Sequence, residues 1–302
     1  MTPEVVRDFL SLNGTIVNCA GGPTPWGSWL TCEESVEGRF YGWEQEHGYI
    51  FEVPATAEGL VTPVPLTAMG RFVHEAAAVD PRTGIVYLSE DQQDSLFYRF
   101  LPASKGQLAR GGRLQALALA EGPQRDLRNW EGAAIGVGGT VEARWIDLDN
   151  VEAPDADLKL RGFARGALRF ARGEGLTIAR SGGRSEVYLC ATSGGPARLG
   201  QVWRYVPSRF EGLSGEAAEP GILVGARVAG DDVADRISGD YHVNARWRSG
   251  GAWGCCQGGG AASNPVLSVA ELSWLPLLPT HAAHQSRWRT RPLCQVPEGT
   301  IG

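Results

Sequence analysis

Lysine is nearly absent from this 302-residue chain: Lys105 and Lys159 stand alone among 28 basic residues, and the rest are arginines. With 34 acidic residues and a net charge of −6, the chain lacks the basic balance that an unaided nucleic-acid binder needs. No run approaches the roughly 18 consecutive apolar residues of a spanning helix. Met1 to Leu10 has neither the apolar core nor the small-residue pattern of an export signal, so none is expected there. The six cysteines, Cys19, Cys32, Cys190, Cys255, Cys256 and Cys294, fall at irregular spacings that fit neither a disulfide scaffold nor a paired zinc motif. Helix signals are scarce as well, confined to Thr2–Ser11 and part of Asp155–Arg172.

What is abundant is turn chemistry, with 41 glycines and 18 prolines beside a 43% hydrophobic content. That mixture suits many tight turns between short strands, and 302 residues accommodate either two average domains or one large all-β barrel or propeller. Three segments repeat the order strand, turn, strand, polar gap, aromatic strand, proline: Thr15 to Pro54, Glu75 to Pro102, and Glu174 to Pro207. A weaker fourth copy runs from Trp130 to Asp147. Units of this kind, rich in Val, Tyr, Trp and Phe, are propeller blades in habit, so the expectation is an all-β propeller with about four blades visible.

The chain divides at about residue 225. Residues 1–225 carry the blades, and 226–302 form an atypical region with poor strand alternation. From His242 to Gly302 it holds five arginines against Glu271 and Glu298 only. This region reads either as incomplete last blades or as a non-native tail. Limited proteolysis separates the two, since a non-native tail is removed at once while the blades persist.

In a propeller the first strand of each blade lines the central channel, so equivalent positions at those strand starts face one space. Asn18 or its neighbours, Glu75, Glu131 and Glu174 occupy them, while Cys32-Glu33-Glu34, Glu90-Asp91 and Thr192-Ser193 close the second strands. Convergent carboxylates raise one another's pKa unless cations compensate, which points to a multi-metal site. Oxygen donors suit hard cations, and a thiolate beside them suits a transition metal. Cys32 is therefore either a ligand or a small buried hydrophobe. Glu33 and Glu34 are adjacent, and only one of two neighbours on a strand faces the channel. Glu75 either meets metal or pairs with Arg71 or another arginine, and His74 reads as structural. Arg172 and Glu174, at i and i+2, form a plain ion pair or divide the work, with the arginine receiving an anion.

The run Asn18-Cys-Ala-Gly-Gly-Pro-Thr-Pro-Trp-Gly-Ser-Trp-Leu-Thr-Cys-Glu-Glu34 resembles the signature of the PhoX-type alkaline phosphatases. So do Gly70-Arg-Phe-Val-His-Glu-Ala-Ala-Ala-Val-Asp80, Tyr87-Leu-Ser-Glu-Asp91 and Ala171-Arg-Gly-Glu-Gly175. The resemblance implies a six-bladed propeller whose central iron and calcium ions support hydrolysis of phosphate monoesters. Carried over, it assigns Cys32, Glu33, Glu75 and Glu174 to metal and Arg172 to the phosphate, with Asp91, also to metal, Glu34 and Glu131 as weaker assignments. Members of that family usually carry a twin-arginine export leader and further acidic motifs in later blades. Here Cys255-Cys256 and Asp231-Asp232 are poor substitutes for those motifs. Two alternatives stay open: a propeller remnant that binds metal or a partner without turnover, and a calcium-dependent lactonase-like hydrolase.

Overall fold

The structure is a computed structural model that describes residues 8–122 and 124–228. The readings of Asp231, Asp232, Cys255, Cys256 and Cys294, and of the tail as a whole, lie outside the described residues.

Turns rich in glycine and proline cut this part into twelve short strands. The first unit is β1 (Asn18–Pro23), β2 (Ser28–Glu33) and β3 (Ile50–Pro54), and the second is β4 (His74–Val79), β5 (Val86–Glu90), β6 (Tyr98–Pro102) and β7 (Gly112–Leu119). After β8 (Thr140–Asp147) and the helix α1 (Leu158–Ala164), the third unit follows as β9 (Gly173–Ser181), β10 (Arg184–Ala191), β11 (Gln201–Val206) and β12 (Gly221–Val228). Within each unit successive strands pair antiparallel, as in a propeller blade. The chain is thus an all-β protein of propeller type. The inner strands of the first two units meet in one parallel bridge, Gly21 to Ala76.

Two expectations change. The segment from Trp130 to Asp147 does not form a fourth blade; it supplies β8 alone, which joins the outer edges of two blades by pairing with both β7 and β12. Residues 130–139 carry Gly132, Gly136, Gly138 and Gly139, and their turns leave no inner strand. The second and third units also have a fourth strand, β7 and β12, which the sequence reading missed. The helix falls within Asp155–Arg172 as expected, whereas residues 8–11 are not helical.

The second blade is buried on both faces, and the period-two alternation of β4 shows how. Ala77 and Val79 join Leu30, Cys32, Ile50, Leu88 and Tyr98 in the layer against the first blade. Ala76 and Ala78 join Tyr87, Phe97, Trp145, Phe170, Trp203 and Tyr205 in the layer against the third. Glycines in β1 permit close approach: a Cβ on Gly22 would stand 1.8 Å from the Ala77 carbonyl oxygen in the second blade, and one on Gly21 1.9 Å from that of Leu30 in the first.

On the other side a buried arginine fastens the third blade. Arg99 of β6 donates through Nη1 to Glu211 Oε1 at 2.6 Å, through Nη2 to Glu216 Oε2 at 2.7 Å, and through Nε to Gln115 Oε1 at 2.7 Å. Glu211 also accepts from Tyr87 at 3.0 Å and from the Tyr205 hydroxyl at 2.9 Å, so the link between β11 and β12 is tied to the second blade. Removing one partner of such a pair strands a buried charge. Arg99→Ala is expected to destabilise the fold by about 3–5 kcal/mol in denaturant titration. A loss below about 1 kcal/mol would show that the ion pair does not fasten the blades.

Candidate metal centre

The three blades place equivalent positions together. The second residue of each inner strand is Cys19 in β1, Glu75 in β4 and Glu174 in β9, and the residue just beyond each second strand is Glu34, Asp91 or Thr192. Ser89 locks the inner strands in register: its hydroxyl donates to the Glu174 carbonyl at 2.6 Å and accepts from the Ala76 N–H at 3.0 Å.

Ligand atoms of Cys19, Glu34 and Glu75 lie within 4.8 Å of one another, a thiol and two carboxylates. Glu75 is buried, and Cys19 and Glu34 are half-buried. Burial, followed by the neighbouring charges of Glu34, Glu174 and Asp91, pushes the Glu75 carboxyl up to about 8, against a lowering hydrogen bond from Cys19. Burial and the approach of Asp91 push Glu34 up to about 7. Burial and both carboxylates also raise the Cys19 thiol well above its ordinary value.

Among the described residues, one cation faces this cluster. Arg172 sits at a positive φ of 53°, a conformation uncommon outside glycine and held only where the surroundings enforce it. Its Nε and Nη2 grip Asp91 at 2.8 and 2.7 Å, and Nη2 also meets Glu174 at 2.9 Å. Nη1 takes no part in these contacts, and the side chain is 39% exposed. The Thr192 hydroxyl donates to Glu174 Oε1, the same oxygen that Arg172 meets.

The set that the sequence pointed to is brought together only in part. Glu75, Asp91, Glu174 and Arg172 converge. Cys32 does not: it is fully buried in the layer between the first two blades, directly opposite Cys19 in the β1–β2 ladder. Glu33 is turned away as well. Its carboxylate accepts from the N–H groups of Ile16, Gly48 and Tyr49 at 3.1, 2.8 and 3.0 Å and pairs with His47 Nδ1 at 2.7 Å, which fills its capacity. Glu34 faces the cluster in its place, so one of the two adjacent glutamates points inward, as strand geometry requires. Glu131 is exposed on a turn outside the cluster. Arg71 is ruled out as the alternative partner for Glu75, because it is engaged by Glu46 and by the carbonyls of Val36, His47, Ala153 and Pro154. His74 is structural: its Nε2 lies 3.0 Å from the Gly70 carbonyl and its ring stacks on Phe72. The residue that sequence reasoning missed is Cys19. Its signal was the alignment of the inner strands, which sets it level with Glu75 and Glu174.

Whether a metal fits is decided by charge and donor type. The centre gathers four carboxylates and a thiol against one guanidinium, and in the absence of another cation Glu34 and Glu75 hold protons into the neutral range. Carboxylate oxygens suit calcium and a thiolate suits iron, so the donor set accommodates both kinds of ion.

A family model described as alkaline phosphatase PhoX matches residues 2–218. Comparison with curated proteins finds no match. Among solved structures, "Pseudomonas fluorescens PhoX in complex with vanadate, a transition state analogue" is 22% identical with a TM-score of 0.46, over 68% of this chain and 46% of that one. The chain therefore spans less than half the length of that protein. With the family model covering well over half of its residues, the chain belongs to the PhoX alkaline phosphatase family.

Proposed function

We propose that the chain is a metal-dependent phosphatase that hydrolyses phosphate monoesters at the centre built from Cys19, Glu34, Glu75, Asp91, Arg172 and Glu174. The observation that carries this reading is the thiol-and-carboxylate cluster beside an arginine with unused donors. Iron and calcium are the ions it would hold, with Cys19, Glu34 and Glu75 as ligands and Asp91 and Glu174 next to them. Such ions, when bound, neutralise phosphoryl charge and polarise the ester.

The chain's own residues do the rest. Arg172 presents Nη1 to the phosphoryl oxygens, a planar fork that suits a tetrahedral oxyanion. Asp91 holds that guanidinium from behind with two hydrogen bonds, so the arginine arrives oriented. Thr192 holds the Glu174 oxygen that meets Nη2, which leaves Nη1 as the arginine's open donor. Glu34, Glu75 and Cys19 carry protons in the metal-free centre and must surrender them on loading.

The direct test is elemental analysis of the full chain purified without chelator, together with turnover of an aryl phosphate with and without EDTA. Bound iron and calcium with EDTA-sensitive turnover are expected. A folded sample with little metal and no turnover would overturn the reading and favour a remnant that no longer catalyses.

Cys19→Ser and Cys32→Ser separate the two thiols. The first is expected to lose most of its iron and at least about a hundredfold in kcat/KM, as for loss of a transition-state interaction of nearly 3 kcal/mol. The second keeps its metal content and loses only stability. The reverse pattern would return the ligand role to Cys32.

Loading should also depend on pH with a definite sign. Glu75 and Glu34 are raised to about 8 and about 7, so below those values protons compete with the cation. Calorimetric calcium affinity is expected to rise from pH 6 to pH 9, with more protons released per ion at pH 6 than at pH 9. A flat profile would place the cation elsewhere.

A further inference from the structure

Beside the centre stands a second cationic feature that the chemistry above does not use. Two guanidinium groups lie over the Trp130 ring, with Arg128 at 4.2 Å and Arg198 at 4.3 Å from its centroid. The two arginines differ in commitment. Arg128 is clamped by Asp126 through Nε at 2.9 Å and Nη2 at 2.5 Å, with Glu131 close enough for its charge to be felt. Arg198 is exposed, and among the described residues no carboxylate pairs with it.

The stack is wired to the centre. The Trp130 indole N–H donates to the Ser193 carbonyl at 2.7 Å, and the preceding residue, Thr192, is the one whose hydroxyl holds Glu174. The same turn is pinned from the other side, since the Thr192 N–H donates to the Arg172 carbonyl at 2.9 Å. Gly195 N–H donates to the Arg128 carbonyl at 2.8 Å, which closes the turn onto the Trp130 loop. Arg198 adopts a positive φ of 56° and Asn129 one of 57°, so both loops hold uncommon backbone conformations to bring the rings together. Because the 192–200 loop follows a second strand, it leaves the blade at the end where Glu34 and Asp91 lie.

We propose that Arg198, braced on Trp130, is a specificity subsite for phosphate esters that carry a second anionic group several ångströms from the scissile phosphate, such as sugar bisphosphates. The proposal rests on the phosphatase reading. An aromatic brace desolvates one face of the guanidinium and fixes its plane, while the opposite face and the N–H edge stay open to an oxyanion. Arg128 contacts the same ring and is neutralised by Asp126, so the discriminating charge is that of Arg198.

The test compares fructose 1,6-bisphosphate with glucose 6-phosphate on the metal-loaded full chain, as a ratio of kcat/KM. Arg198→Ala is expected to lower this ratio about tenfold, the worth of one charge-assisted hydrogen bond, and Arg198→Glu to lower it further. Arg184→Ala, which removes an exposed arginine from the β9–β10 hairpin at the far end of the third blade, should leave the ratio within twofold and so controls for net charge. A ratio unchanged in Arg198→Ala, or lowered equally by Arg184→Ala, overturns the proposal. If neither ester is turned over, the phosphatase reading fails on its own. Calorimetric binding of the bisphosphate to the same metal-loaded samples then decides: about tenfold weaker binding in Arg198→Ala than in Arg184→Ala supports the subsite, and equal binding overturns it.

Discussion

Four carboxylates and a thiol converge where the inner strands of three blades meet, with one guanidinium among the described residues to meet them, and much else in the structure answers that imbalance. Like charges at such separations oppose the packing of the strands that carry them. Arg172 compensates part of the excess by bridging Asp91 and Glu174, which belong to different blades. Protons compensate another part, on Glu75 and Glu34. On the reading proposed above, cations would replace those protons and the same residues would serve as their ligands. Stability and function are then two sides of one electrostatic requirement.

The rest of the fold holds the strands where the charges must meet. Gly22 brings the first blade against the second at a distance no side chain allows, Gly21 does the same between β1 and β2 within the first blade, and Ser89 ties the second to the third through the Glu174 backbone. Farther out, Arg99 and Glu211 fasten the same two blades, and Trp145 of β8 donates from Nε1 to the Tyr205 hydroxyl at 2.8 Å within that cluster. Arg99, Tyr87, Tyr205 and Glu211 are hydrogen-bonded across the blade boundary, which fixes relative blade position more sharply than apolar contact alone. In the first blade, Glu33 does comparable work by gathering the loop that contains His47, Gly48 and Tyr49.

How much of this was legible in the sequence follows from what each pattern encodes. The repeats showed because every blade reuses one order of turn and strand. The strands with strong β-formers, such as Val86–Glu90 and Gln201–Val206, were placed to within a residue or two. β7 escaped because its buried positions are largely alanine and leucine, as in Leu114, Ala116, Leu117 and Ala118, which carry little strand signal. β8 was mistaken for part of a blade because pairing partners are not written in local alternation. At the centre, aligning the units pointed to Glu75, Asp91 and Glu174, and Arg172 was singled out by its place two residues before Glu174 and by the family resemblance. The thiol was assigned to Cys32, since Cys19 and Cys32 face each other across one ladder and only tertiary packing decides which is at the rim and which in the core. Glu33 and Glu34 pose the same ambiguity one residue apart, and it is resolved by backbone N–H groups that come from a distant loop.

The placement of Thr192 shows why the third blade differs from the other two. At the position after the second strand the first blade has Glu34 and the second Asp91, but the third has a hydroxyl. A third carboxylate there would lie against Glu174, with Arg172 already shared between Asp91 and Glu174. A hydroxyl donates instead, holding Glu174 without adding charge. The next carbonyl, that of Ser193, accepts from the Trp130 indole, so the turn that holds Glu174 also positions the ring that Arg198 contacts.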